Sequence, residues 1–187
     1  MRTLKLSLIT CLIGLLLILP VSAQEHNMNM AMDAVKINIA LSDYHFIVDG
    51  QKPDAPLALQ AGQDYQITFT NKSESKMAHE VLFGKNVTKL GNFAHTYTDP
   101  LLSDVPVMLT SPSDSDFMVN VAGLDQFQIG VDKSVTIEFT LPDSKVGDWE
   151  MGCFEYLSMS DSDTHPGPTH YDVGMHLPIT VTAAMHM

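Results

Sequence analysis

Cysteine is scarce in this 187-residue chain, which contains only Cys11 and Cys153. Cys11 lies in a hydrophobic amino-terminal run that we expect to be removed, so the expected mature chain keeps a single thiol. A single thiol excludes a disulfide framework, although proteins in oxidising compartments usually pair their cysteines. Cys153 is therefore a chance thiol, a reactive group or a metal ligand.

Positive charge is also scarce. The chain has 10 Lys and Arg residues against 22 Asp and Glu residues, which gives a formal net charge of −12. Such a surface repels nucleic acid and anionic lipid, so we predict neither as a partner. It favours encounters with basic partner proteins. The alternative is that the charge serves solubility alone.

The amino terminus has the pattern of a secretory signal peptide over residues 1–23. Arg2 and Lys5 precede the apolar run Leu8–Pro20, and Val21-Ser22-Ala23 supplies small residues for cleavage. The apolar run is too short for a comfortable membrane span, and polar residues follow it. We predict cleavage after Ala23, no membrane span in the mature protein and a periplasmic location.

Long helical stripes are missing from the rest of the chain, which excludes a helical bundle. Apolar residues instead alternate with polar ones over 35–41, 65–69, 135–139 and 149–153. Strict alternation rich in Val, Ile, Thr and aromatic residues predicts half-buried strands. Short strands separated by turn residues such as Asp49-Gly50 predict an all-β protein, an antiparallel sandwich or barrel.

Two stretches do not fit this alternation. We predict that Lys85–Ser115, which is polar and contains three prolines, is a long insertion, and that Phe154–Thr169 is a long loop. Loops of this length are usually functional or flexible. No linker divides the chain, so we expect one domain over residues 35–182, between flexible tails at 24–34 and 183–187.

Four residues carry the chemistry. Cys153 ends a predicted strand on its core face, His170 and Met175 follow the long loop, and His79 begins another strand. One thiolate, two imidazoles and a thioether select copper, in the trigonal His₂Cys arrangement with a weak axial Met. Zinc seldom takes a thioether, and calcium and magnesium prefer oxygen ligands.

The order His79, Cys153, His170-x4-Met175, with Gly174 before the methionine, resembles the cupredoxins, including plastocyanin-like and rusticyanin-like proteins. The segments that carry the resemblance are 64–83, 147–153 and 170–175. The resemblance implies a Greek-key β-sandwich with one type 1 copper ion on these four residues. It also implies one-electron transfer between Cu(I) and Cu(II).

One departure from that family is the spacing between Cys153 and His170. Sixteen residues, 154–169, separate them, where the family usually has only a few. This longer loop offers His165 as a rival ligand. We favour His170 because only His170 has the correct register with Met175.

The predicted tails contain methionine and histidine clusters, and soft thioethers can bind additional Cu(I). They comprise His26, Met28, Met30 and Met32 at one end and Met185, His186 and Met187 at the other. Compositional accident is the alternative. The clusters resemble those of periplasmic copper-tolerance proteins, which implies a role in copper handling.

Two functions therefore stay open on the same site: periplasmic copper handling, and a dedicated electron carrier for a redox partner. A redox or copper-delivery protein is the expected partner. Copper oxidases and nitrite reductases need further histidine-rich sites such as His-x-His pairs, and the sequence has none. We therefore expect no enzyme activity. A metal-free sandwich acting as an adhesion or interaction module is the remaining alternative.

Overall fold

A computed structural model describes residues 34–90, 94–112, 114–157 and 167–185. Several predicted features lie outside these ranges, namely the signal peptide, nearly all of the amino-terminal tail, His165, His186 and Met187. In the described part of the chain the strands are β1 Val35–Leu41, β2 Phe46–Val48, β3 Leu57–Gln60, β4 Asp64–Asn71, β5 His79–Leu90, β6 Ala94–Pro100, β7 Val107–Ser111, β8 Asp114–Val121, β9 Gln126–Ile129, β10 Ser134–Thr140, β11 Gly147–Gly152 and β12 His176–Thr182. Short 3-10 turns occupy Asp143–Lys145 and Tyr171–Val173.

The strands form because apolar side chains alternate along them. In β4, Tyr65, Ile67 and Phe69 are buried, while the intervening residues are less buried and face the other side of the sheet. Successive side chains of a strand point to opposite faces, so this pattern buries one face and leaves the other to pair polar groups. Thr68, on the outer face, hydrogen-bonds Thr136 of the neighbouring strand at 2.9 Å.

Two sheets pack face to face. One has the strand order β2-β1-β4-β10-β7-β8, and the other has the order β3-β12-β11-β5-β6, with β9 also pairing with β5. The structure confirms the predicted all-β sandwich, but it is not purely antiparallel, because β1 pairs with β4 and β3 pairs with β12 in parallel. Parallel neighbours need a long connection between them, and alternation within a single strand cannot reveal such a connection.

The prediction that Lys85–Ser115 lacks strands was wrong. Strand β5 continues to Leu90 and pairs with β6, and β7 pairs with β10. The polar residues lie at the edge of a sheet, where Lys85 and Asn86 are exposed. Pro100 ends β6, and Pro106 immediately precedes β7. Proline is tolerated at strand ends because its missing N–H removes no ladder hydrogen bond there.

The core lies between the two sheets and is dominated by large aliphatic and aromatic side chains. Phe69 of one sheet meets Phe83 of the other edge-to-face, with ring centroids 6.0 Å apart. Cys153 and Met175 belong to the same buried cluster as these rings. None of the helices in the described ranges has the length and apolar character needed to cross a membrane.

Candidate metal centre

The four residues predicted as metal ligands come from separate segments. His79 is the first residue of β5, Cys153 follows β11, and His170 and Met175 lie on either side of the 3-10 turn before β12. Gly152 is the register partner of both Leu82 in β5 and His176 in β12. Cys153 therefore lies beside the other two strands at one end of the sandwich. The side chains of all four residues are fully buried.

The turn between His170 and Met175 brings the backbones of these two residues into hydrogen-bonding distance. The backbone N–H of Met175 donates to the carbonyl of His170 at 2.9 Å. The turn closes at Gly174, whose φ is +109°. Residues with a Cβ rarely adopt such positive φ values, so glycine is needed here. The backbone N–H of Cys153 then donates to the Met175 carbonyl at 3.2 Å, which fixes these two segments side by side.

Three donor atoms converge at the centre of this arrangement. The Cys153 Sγ lies 3.3 Å from His170 Nδ1 and 3.7 Å from His79 Nδ1, and the two Nδ1 atoms are 3.2 Å apart. The point equidistant from these atoms is about 2.0 Å from each, close to ordinary metal–imidazole and metal–thiolate bond lengths of about 2.0–2.3 Å. In the described ranges, this is the one His/Cys/Asp/Glu group compact enough to hold a metal ion.

Burial controls the protonation of all three donors. It raises the pKa of the Cys153 thiol to about 12. It lowers the pKa of His79 to about 4, with a further contribution from the charge of His170, and it lowers the pKa of His170 as well. Both imidazoles are therefore neutral at pH 7, the form that binds metal ions. The thiol keeps its proton until a metal displaces it.

The second ring nitrogen of each histidine, Nε2, bears on which tautomer can bind a metal ion. The Nε2 atoms of His79 and His170 are buried and have no hydrogen-bond partner among the described residues. Binding through Nδ1 requires the proton of each neutral ring to be on Nε2. The donor set therefore fits a copper ion held by two Nδ1 atoms and a thiolate. The buried thioether of Met175 adds a soft sulfur from the adjacent segment.

Asn71, which the sequence analysis did not single out, supports the segment that leads to His79. Its side chain is fully buried. The Nδ2 group donates to the carbonyls of Met77 at 2.8 Å and Ile129 at 3.1 Å, and Oδ1 accepts the Ser73 N–H at 2.9 Å. Asn71 thus ties the connection before β5 to β9. An asparagine at a strand end has no distinguishing sequence signal.

Tyr44 was also missed. It lies in the connection 42–45 between β1 and β2, and its ring meets the His170 ring edge-on, with centroids 5.6 Å apart and planes at 80°. Tyr44 is 38% exposed, whereas His170 is completely buried. An exposed aromatic residue therefore covers one of the candidate ligands. Its position depends on contacts between residues more than 120 positions apart, which no local pattern encodes.

Aromatic residues form a small cluster, separate from the main core, on the outer face of the sheet that contains β11. The ring of Phe154, the residue after Cys153, lies 4.8 Å from the ring of Tyr171, and the Tyr171 hydroxyl donates to Glu150 Oε1 at 2.9 Å. A Cβ at Gly152 would lie 2.5 Å from the hydroxyl oxygen of Tyr97. The absence of a side chain at Gly152 is therefore required for these rings to cover the strand that leads to Cys153.

Comparisons with known proteins give likenesses of fold. No family model matches the sequence, and no curated protein is detectably similar to it in sequence. Among solved structures, rusticyanin from Thiobacillus ferrooxidans is similar at 17% identity, over 81% of this chain and 79% of that one, with a TM-score of 0.44. Auracyanin B is similar at 16% identity, over 81% and 91%, with a TM-score of 0.41.

A multicopper oxidase from Campylobacter jejuni is similar at 13% identity and a TM-score of 0.48, over 81% of this chain and 31% of that one. The chain thus spans about a third of the length of that oxidase. The β-sandwich expected from the sequence is confirmed by the strand arrangement described above. These distant likenesses add no function, so the functional argument rests on the donor geometry.

Proposed function

We propose that this chain is an exported copper-binding protein that holds one copper ion on His79, Cys153, His170 and Met175. Bound there, copper would supply one-electron exchange between Cu(I) and Cu(II). We propose periplasmic copper handling or tolerance as the biological role, with a dedicated electron carrier as the alternative. In both roles the protein acts as a carrier and not as an enzyme, and meets a redox or copper-delivery protein.

The convergence of two Nδ1 atoms and one thiol around a common point is the observation that carries the proposal. These atoms are 3.2–3.7 Å apart, although their residues lie up to 91 positions apart in the sequence. Burial keeps both imidazoles neutral, the form that binds metal ions, and keeps the thiol protonated while no metal is bound, which protects it from oxidation. His79 begins a packed strand, and backbone hydrogen bonds join Cys153 to Met175 and Met175 to His170. These constraints limit the rearrangement that accompanies a change of copper charge.

The test is a titration of the purified protein with Cu(II), followed by visible absorption. We expect one equivalent to bind with an intense thiolate-to-copper charge-transfer band. Cys153→Ala should abolish the band. Met151→Leu is the matched control, because Met151 is a fully buried sulfur-containing residue of β11 outside the donor set. A wild-type protein without the band, or a Cys153→Ala protein that retains it, would refute the site.

Further experiments distinguish the two roles. An electron carrier should show reversible one-electron voltammetry when copper-loaded. A copper-handling protein should leave its host copper-sensitive when the gene is deleted, and its methionine and histidine clusters should bind additional Cu(I). Normal copper tolerance in the deletion strain, together with reversible voltammetry, would favour the electron carrier. Mass spectrometry of the exported protein tests the predicted cleavage after Ala23.

A further inference from the structure

The candidate ligands are closed off from solvent. His79, Cys153, His170 and Met175 are all fully buried, so a metal ion cannot reach the donor atoms unless part of the cover moves. Local openings of this kind draw on the least stable parts of a fold, which are connections with few buried contacts. The question is which part of the cover opens.

Packed strands enclose two of the donors. His79 pairs with Ile129 of β9, and β5 also pairs with β11 on its other side. Cys153 follows β11 directly, and its backbone N–H donates a hydrogen bond to the Met175 carbonyl. Exposing the His79 or Cys153 side chain by moving β5, β9 or β11 would break hydrogen bonds between these strands. Opening the site in this way would therefore unfold part of the sheet that contains β5 and β11.

His170 is covered differently. Besides the His79 ring within the site, its ring contacts that of Tyr44, a partly exposed residue in a four-residue connection outside the strand ladders.

Two carboxylates hold this connection in place. Asp54 Oδ2 contacts His45 Nδ1 at 2.5 Å, and Asp43 joins the connection to the neighbouring segment before β5. Asp43 Oδ1 accepts from the Ser73 hydroxyl at 2.6 Å and from the hydroxyl and backbone N–H of Ser75 at 2.8 and 3.0 Å.

We propose that Tyr44 is a gate over His170, latched by Asp43, through which copper reaches and leaves the site. This proposal rests on the proposed function. Swinging the 42–45 connection outward would break the Tyr44–His170 edge contact, the Asp43 hydrogen bonds and the His45–Asp54 contact, and would leave the strand pairing of both sheets intact. An edge-to-face ring contact is weak enough that its loss raises the open population only about two- to tenfold.

The first test uses metal-free protein. We expect iodoacetamide to modify Cys153 about two- to tenfold faster in Tyr44→Ala than in wild type at the same pH, with peptide mass spectrometry reporting the site. Asp43→Ala keeps the Tyr44 ring but removes the Asp43 hydrogen bonds, so it should also accelerate the modification of Cys153. Tyr44→Phe should react at the wild-type rate, because it keeps the covering ring.

Val146→Ala is the control for an exposed apolar residue. Val146 is 45% exposed and precedes β11, at the end of that strand opposite to Cys153. It should react like wild type. Wild-type rates in both Tyr44→Ala and Asp43→Ala would overturn the proposal. A general rise in all variants, Val146→Ala included, would also overturn it, because that result indicates global unfolding.

The second test follows copper itself by stopped-flow absorption. Tyr44→Ala should speed loading with Cu(II) and removal by EDTA by the same factor, with the affinity and the band position unchanged. Faster removal alone, with weaker binding, would show that Tyr44 stabilises the site instead of gating it. If the wild-type protein forms no copper band yet Tyr44→Ala still accelerates alkylation, the proposed function and the copper route both fail, and Tyr44 controls access to the thiol alone.

Discussion

Asn71 offers a sharp test of how the fold positions His79. Asn71→Ala removes three hydrogen bonds to backbone groups, the carbonyls of Met77 and Ile129 and the N–H of Ser73. At about 1 kcal/mol for each hydrogen bond, with their partners left inside the protein, the free energy of unfolding should fall by about 3 kcal/mol. Met77 precedes His79 by two residues, so copper affinity should fall as well.

Urea unfolding of the metal-free protein measures this change. Asn38→Ala is the matched control, because Asn38 makes one exposed hydrogen bond, from Nδ2 to Asp49 at 2.9 Å. Its loss should change the free energy of unfolding by less than about 0.5 kcal/mol. If Asn71→Ala cost less than 1 kcal/mol, or no more than Asn38→Ala, the inferred role of Asn71 as a structural tie would be wrong.

Two further predictions concern the turn and the thiol. Gly174→Ala forces a side chain into φ +109° and should lower the free energy of unfolding by about 1–2 kcal/mol in thermal denaturation. Gly130→Ala, whose Cβ would meet only Lys133 at 3.8 Å, should be nearly neutral, and equal effects would contradict the strain argument. Because burial raises the pKa of Cys153 to about 12, copper binding at neutral pH must release the thiol proton. Affinity for Cu(II) should therefore rise about tenfold per pH unit between pH 6 and 8, measured by competition with a chelator, and a pH-independent affinity would show that the thiol is not a ligand.

The strands that follow simple alternation were predictable from the sequence. In β1, β4 and β11 the residue types identify the core face, since a strand places every second side chain on the same side. In β10 the apolar residues also mark the core face, but Thr136 and Glu138 are buried on the other face. The segment over 85–115 was not predictable in this way. Strands β6 and β8 are the last strands of their sheets, and β7 lies between β10 and β8 with partly buried residues on both faces. Pairing with neighbours, and not alternation, therefore decides the conformation of this segment.

In the candidate site, too, the sequence predicts some residues and only the structure reveals others. His170 and Met175 belong to one short turn, and Gly174 marks that turn in the sequence because its φ requires glycine. Cys153 stands out because the expected mature chain has no second thiol to pair with it. Asn71 and Tyr44 carried no such signal. Tyr44 contacts a residue that is distant in sequence, His170. Asn71 binds backbone groups, which every residue type has, so the sequence does not reveal its partners.

The sequence by itself therefore determined the fold class and supplied the candidate donor set, because period-two burial and soft ligands are properties of residue types. Only the tertiary structure decided that His79 and His170 direct their Nδ1 atoms toward the Cys153 sulfur. It also decided that His170, although it follows the long loop, lies within reach of the thiol, and that the Tyr44 ring packs against His170. These features depend on strand register and on packing between the two sheets, which are set by contacts across the whole chain.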